Sequence, residues 1–258
     1  MPRTLKISAR NIALAAVFAA LYYVLSLVSP KIPSIGLPEL RIQLEALIAS
    51  VFGIVLGPYL GALSAFTGAL VTWILPPTSM APMGAPFLLS PPLNALIVGL
   101  IFYKKSKWAF ALLGLLIAAF LFLPPSQPLS DYYYVPVAVL WDKVIALLLI
   151  IPVAIFGGKL ASRRYIAMLF FIICFIGNQA DNMWGADVFS IPLVYNNIFS
   201  IPLEVVRGLF VFSPFMYPAI RLVQATLGTA IVVPLMAALK NTGWTMQEKS
   251  IVNNGHRT

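Results

Sequence analysis

Histidine and cysteine each occur once in this sequence, as His256 and Cys174. That count excludes an internal disulfide and a metal centre built from imidazole and thiolate ligands. Cys174 lies inside an apolar run, where a thiol serves packing. Charge is scarce as well. Only 10% of the 258 residues are charged, against roughly 25% in an ordinary soluble domain. There is no Walker A phosphate loop, no His-Glu-x-x-His, no Gly-x-Ser-x-Gly and no aspartate pair within an apolar run. The chain therefore carries no ATPase signature of its own, and its residues supply no recognisable catalytic set, metal site or cofactor site.

What the chain has in excess is apolar surface, with 60% hydrophobic residues. A single soluble core has no use for so much, whereas a bilayer favours an apolar exterior. The sequence reads as an all-α, polytopic transmembrane bundle at 1–240 with a polar cytoplasmic tail at 241–258. The first apolar run lacks a small-residue cleavage site, so it is expected to be a retained span and not a signal peptide.

A crossing helix needs about 20 apolar residues. Eight runs qualify, at 9–28, 40–56, 58–75, 86–103, 108–123, 135–157, 165–184 and 217–239, of which the second and fifth are short. Gly57-Pro58 marks a tight turn between the second and third. The basic residues test this count. With the N-terminus inside, the cytoplasmic segments hold Arg3, Lys6 and Arg10; Lys104, Lys105 and Lys107; Lys159, Arg163 and Arg164; and Lys240, Lys249 and Arg257. Only Glu248 among the acids joins them. Basic clusters thus recur after every second span, as the positive-inside rule requires, with both ends in the cytoplasm. The net charge of +9 is then a topology signal and not a nucleic-acid footprint.

Small residues recur at helical spacing. Ala16 and Ala20 form an Ala-x-x-x-Ala pair on the first span, along with Ala9 and Ala13, and small side chains let two backbones approach in lipid. The partner is either another helix of this chain or another subunit. Gly53, Gly57 and Gly61 repeat every four residues and read as a tight helical hairpin.

Polar groups inside apolar runs are candidates for function. Gln43 and Glu45 stand near the outer end of the second span, Asn94 in the fourth, Asn178, Asp181 and Trp184 at the end of the seventh, and Arg221 with Gln224 at the start of the eighth. All but Asn94 fall toward the outer face. Two readings stay open: Arg221 pairs with Asp181 or Glu45 for structure alone, or these groups grip a small ligand together with Trp73, Trp184 or Tyr217. Asp142-Lys143 reads as an interfacial pair and Tyr132–Tyr134 as an aromatic belt. The stretch 187–216 is expected to lie on the surface, dip into the membrane or cover a pocket.

Three segments carry a family resemblance. RNIALAAVFAAL at 10–21 resembles the first helix of the substrate-binding S components of energy-coupling factor (ECF) transporters, as does FGIVLGPYLGALSAFTGAL at 52–70. GNQADNMWG at 177–185 is similar to a segment of archaeal members. The resemblance implies a cell-membrane protein that takes a vitamin or similar micronutrient from outside. It implies docking on a transmembrane T component with two ATPase subunits, whose ATP hydrolysis topples the S component and releases substrate inside. It assigns the T-component contact to Ala16 and Ala20. The family has six spans, so the fifth and sixth here would be an inserted hairpin. An alternative of another class is a membrane-embedded enzyme acting on a lipid-like substrate through Asp181 or Glu204. A stand-alone carrier is expected to show internal pseudo-symmetry, and none is visible.

Overall fold

The computed structural model describes residues 9–28, 32–34, 37–42, 47–76, 78–162, 164–212 and 214–241. Helix α1 (Ala9–Val28) leads into an antiparallel hairpin of β1 (Ile32–Ser34) and β2 (Leu37–Ile42), in which Ile32 pairs with Ile42 and Pro33 with Arg41. The bundle continues through α2 (Leu47–Leu56), α3 (Pro58–Ile74), α4 (Ser90–Phe102) and α5 (Ser106–Phe120). A short α6 (Leu129–Tyr132) precedes the long α7 (Tyr134–Leu160) and α8 (Ile166–Phe189). A π-helical turn at Leu193–Ile198 and α9 (Leu203–Phe212) bring the chain to α10 (Met216–Asn241).

Each of the eight apolar runs contains one long or medium helix, but they are not of equal length. Five stretches are long and apolar enough to cross a membrane: Asn11–Val28, Pro82–Phe102, Tyr134–Leu160, Ile166–Phe189 and Met216–Leu239. Leu47–Leu56, Pro58–Ile74 and Ser106–Phe120 are shorter apolar helices. At 1.5 Å per residue α2 rises only about 15 Å, half of a hydrocarbon core. The run expected at 40–56 therefore needs correction. Its first residues belong to β2, which also qualifies the all-α expectation with a small hairpin. The sequence there has Pro38, Glu39 and Arg41, which suit an edge strand better than a helix in lipid. Short α2 is tolerated because protein surrounds it: Ile48 through Gly53 are all buried.

Helix α8 forms the centre. It packs against α4, α7 and α10, while α1 lies on α3, and α2 and α3 lie on α4. The glycine repeat explains the close approaches. Gly57 turns the chain with φ of 86°, a conformation open to glycine. A Cβ on Gly53 would strike the Ala95 carbonyl of α4, and one on Gly99 would sit 2.5 Å from Pro58 Cα. The hairpin is thus tight within itself and pressed onto α4. Outward faces stay apolar and exposed, as Val137, Leu148 and Ile155 on α7 and Ile12, Val17 and Val24 on α1 show, which is the arrangement lipid favours.

Candidate binding site at one end of the bundle

Alternating helix direction brings the starts of α2, α4, α7 and α10 and the end of α8 to the same end of the bundle. There the polar residues that interrupt apolar helices meet. Ser50 Oγ of α2 donates to Asn94 Oδ1 of α4 at 2.8 Å, and Asn94 Nδ2 donates to Asn178 Oδ1 of α8 at 3.0 Å. All three side chains are buried. Gly177 makes room for this chain of bonds, because a Cβ there would collide with Asn94 Oδ1 and Val98 Cγ2.

Nearly one turn further along α8, Arg221 Nη2 of α10 reaches Asp181 Oδ1 at 3.3 Å, and Arg221 Nη1 donates to Gln224 Oε1 at 2.8 Å. On α7 lies a second pair, Lys143 Nζ with Asp142 Oδ1 at 2.9 Å. The sequence reading put this pair at the membrane interface, and the structure overturns that. Asp142 is 1% and Lys143 4% exposed, and the rise from the start of α7 at Tyr134 to Asp142 is about 12 Å. Packing of α7 on α8 and α5 encloses them.

These groups are not fully satisfied. Asp142 Oδ2, Asp181 Oδ2, Arg221 Nε, Asn178 Nδ2, both polar atoms of Gln179 and both oxygens of Asp187 are buried with no hydrogen-bond partner among the described residues. Native interiors pair nearly all such atoms, and each unpaired one costs about 1–3 kcal/mol. Such a concentration makes these groups the candidate site.

An aromatic cap closes the same end. Phe189 stacks edge-on against Phe199 (ring centroids 5.5 Å apart) and Phe210 (6.0 Å), and Phe87 against Phe199 (6.4 Å). Arg207 fastens α9 into place. It donates to the carbonyls of Pro125 at 3.3 Å and Gln127 at 2.7 Å and lies 3.4 Å above the Tyr132 ring. The described residues 187–212 are thus folded, and include the end of α8, the π-turn and α9.

The sequence-expected residues divide accordingly. Asn94, Asn178, Asp181 and Arg221 come together through α8. Trp184, three residues on from Asp181, donates its indole N–H to the Pro86 carbonyl at 3.4 Å, and its ring packs against both the main core and the cap. Trp73 likewise bonds a local carbonyl, Ala81, at 2.8 Å. Gln43 and Glu45 lie outside the described residues. Ser50, Gln179, Asp187 and the Asp142–Lys143 pair were missed as site residues. Gln179 stands inside the GNQADNMWG segment and interrupts an apolar helix, the same signal that singled out its neighbours. On α1, Ala19 and Tyr22 face α3, whereas Ala9, Ala13, Ala16 and Ala20 are exposed.

Residues 6–123 match the family model described as ECF-type riboflavin transporter, S component. The matched segment takes in α1 through α5 and stops short of α7, so the expected insert, 108–123 with 135–157, straddles its end. No curated protein and no solved structure matches the chain.

Proposed function

We propose that the chain is an S component of an ECF-type transporter, the family whose model matches residues 6–123, and that it captures riboflavin or a closely similar vitamin from outside the cell. S components are multi-pass subunits of the cell membrane that bind substrate; they are transport subunits and not enzymes. The observation that carries the site assignment is the convergence of Asn94, Asn178, Asp181 and Arg221 around α8 beneath the aromatic cap, with buried donors and acceptors left open. Fixed polar groups in an apolar surround are what hold a small ligand in one orientation.

The topology that supports this reading has eight crossings with both ends inside. It places the polar end and its cap outside and the basic clusters at 104–107 and 159–164 within. The three shorter helices cross with help from their surroundings, α2 and α3 as one hairpin pressed on α4. Ala16 and Ala20 form the docking face for a T component. They point away from the bundle, and their small side chains let a partner helix approach closely. ATP hydrolysis belongs to the two ATPase subunits of that assembly.

Co-expression with a T component and its ATPases, followed by affinity purification through this chain, tests the partner half of the proposal. Recovery of all subunits in one complex is the expected result. Substrate turnover by the isolated chain, with no complex formed, would replace the transport reading with an enzymatic one.

A further inference from the structure

Asp142 and Lys143 lie beyond residue 123, where the family match ends, and the residues first singled out for the site do not include them. Their setting ties them to it. They sit on α7, which packs against the central α8, as α10 does. Two buried ion pairs, Asp142–Lys143 and Asp181–Arg221, are therefore carried by three helices that meet at α8.

Neither pair is closed. Asp142 uses Oδ1 for Lys143 and Asp181 uses Oδ1 for Arg221, while each Oδ2 is buried without a partner among the described residues. An ionised carboxylate only accepts hydrogen bonds, and one oxygen has room for more than one donor. A pair retained for structure alone is stable only when its remaining lone pairs are also satisfied. Nearby, Asn178 Nδ2 and both ends of the Gln179 amide are open too. The open groups are thus of two kinds: carboxylate oxygens that need donors, and amides that offer a donor and an acceptor side by side.

A flavin has the same two kinds of surface. Its ring edge carries carbonyls and ring nitrogens beside an N–H, and its sugar-alcohol chain carries hydroxyl donors. We propose that Asp142 and Lys143 belong to the substrate site, that Asp142 Oδ2 and Asp181 Oδ2 accept hydrogen bonds from the hydroxylated chain, and that Asn178 and Gln179 meet the ring edge. This rests on the reading that the substrate is riboflavin or a near relative. Lys143 acts as a positioning residue: its Nζ, 2.9 Å from Asp142 Oδ1, aims the carboxylate.

The test compares riboflavin with lumiflavin, which has the same ring and a methyl group in place of the hydroxylated chain. Equilibrium binding is measured on the detergent-solubilised full chain, on Asp142→Asn, and on the double variant Asp142→Leu with Lys143→Met. The double variant removes the pair without stranding a buried charge, and its thermal unfolding reads any structural effect. The parent protein should bind riboflavin at least tenfold more tightly than lumiflavin. The double variant should melt near the parent temperature, and its preference for riboflavin over lumiflavin should fall at least fivefold. If it fails to fold, Asp142→Asn decides, with riboflavin affinity expected to fall at least fivefold and lumiflavin affinity unchanged. Equal binding of both flavins by the parent, or parental preference in the variant that is measured, would overturn this inference alone. Binding of neither flavin by the parent would overturn the flavin reading and this inference with it.

Discussion

Arg221 and Asp181 stand 40 positions apart in sequence and 3.3 Å apart in space, an ion pair between α10 and α8 with both side chains buried. The pair is stretched for a charge-assisted hydrogen bond, which is usually 2.7–2.9 Å, and Asp181 Oδ2 and Arg221 Nε are left over. Its geometry favours a pair that shares its charge with a third group over one that serves to clamp two helices.

Asp181→Asn separates these roles. The amide keeps an acceptor for Arg221 while removing the charge, so the protein should fold. Riboflavin affinity should fall at least tenfold, about 1.4 kcal/mol. A lower melting temperature with unaltered affinity in the folded fraction would assign Asp181 to structure.

The α1 face gives a prediction of the opposite kind. Ala16→Trp and Ala20→Trp place a large ring on an exposed face. Riboflavin binding should match the parent, and assembly with the T component should be abolished, because the backbones can no longer approach. Normal assembly by both variants would move the docking face elsewhere.

Cysteine accessibility tests the orientation. In a Cys174→Ala background, Lys105→Cys and Arg163→Cys should react with a membrane-impermeant thiol reagent only from the cytoplasm, and Asp131→Cys only from outside. Positions 105 and 131 flank α5, so their reaction from one side would show that α5 does not cross.

Arg207 is the fastening of the cap. Arg207→Met removes its hydrogen bonds to the Pro125 and Gln127 carbonyls and its stacking on Tyr132. Local stability should fall by about 1.5–3 kcal/mol, the scale for bonds to a charged donor. Hydrogen exchange should quicken in 203–212 and 124–132 and stay unchanged in α4. Uniform exchange across the bundle would show that α9 is not a separate unit.

Much of the bundle was legible in the sequence because hydropathy is local. The runs at 9–28, 58–75 and 217–239 begin and end within two residues of α1, α3 and α10. The start of the second run was not legible, since β2 exists only by pairing with β1 across a turn. Asn94, Asn178, Asp181 and Arg221 stood out as polar residues in apolar helices. Asp142-Lys143 did not, because adjacent opposite charges near a helix start look the same at an interface as inside a bundle. Only the packing of α7 on α8 distinguishes the two. For Trp184, spacing alone gave its place beside Asp181 on α8 but not its packing against the cap cluster as well as the main core, because the bond to Pro86 depends on the distant turn at Pro82–Phe87.

The most direct test of the account is a titration of the purified, detergent-solubilised chain with riboflavin, read by quenching of flavin fluorescence. The account predicts saturable quenching at one flavin per chain with no partner subunit and no ATP present, since capture precedes docking. A chain that melts cooperatively yet leaves flavin fluorescence unchanged throughout the titration would contradict it.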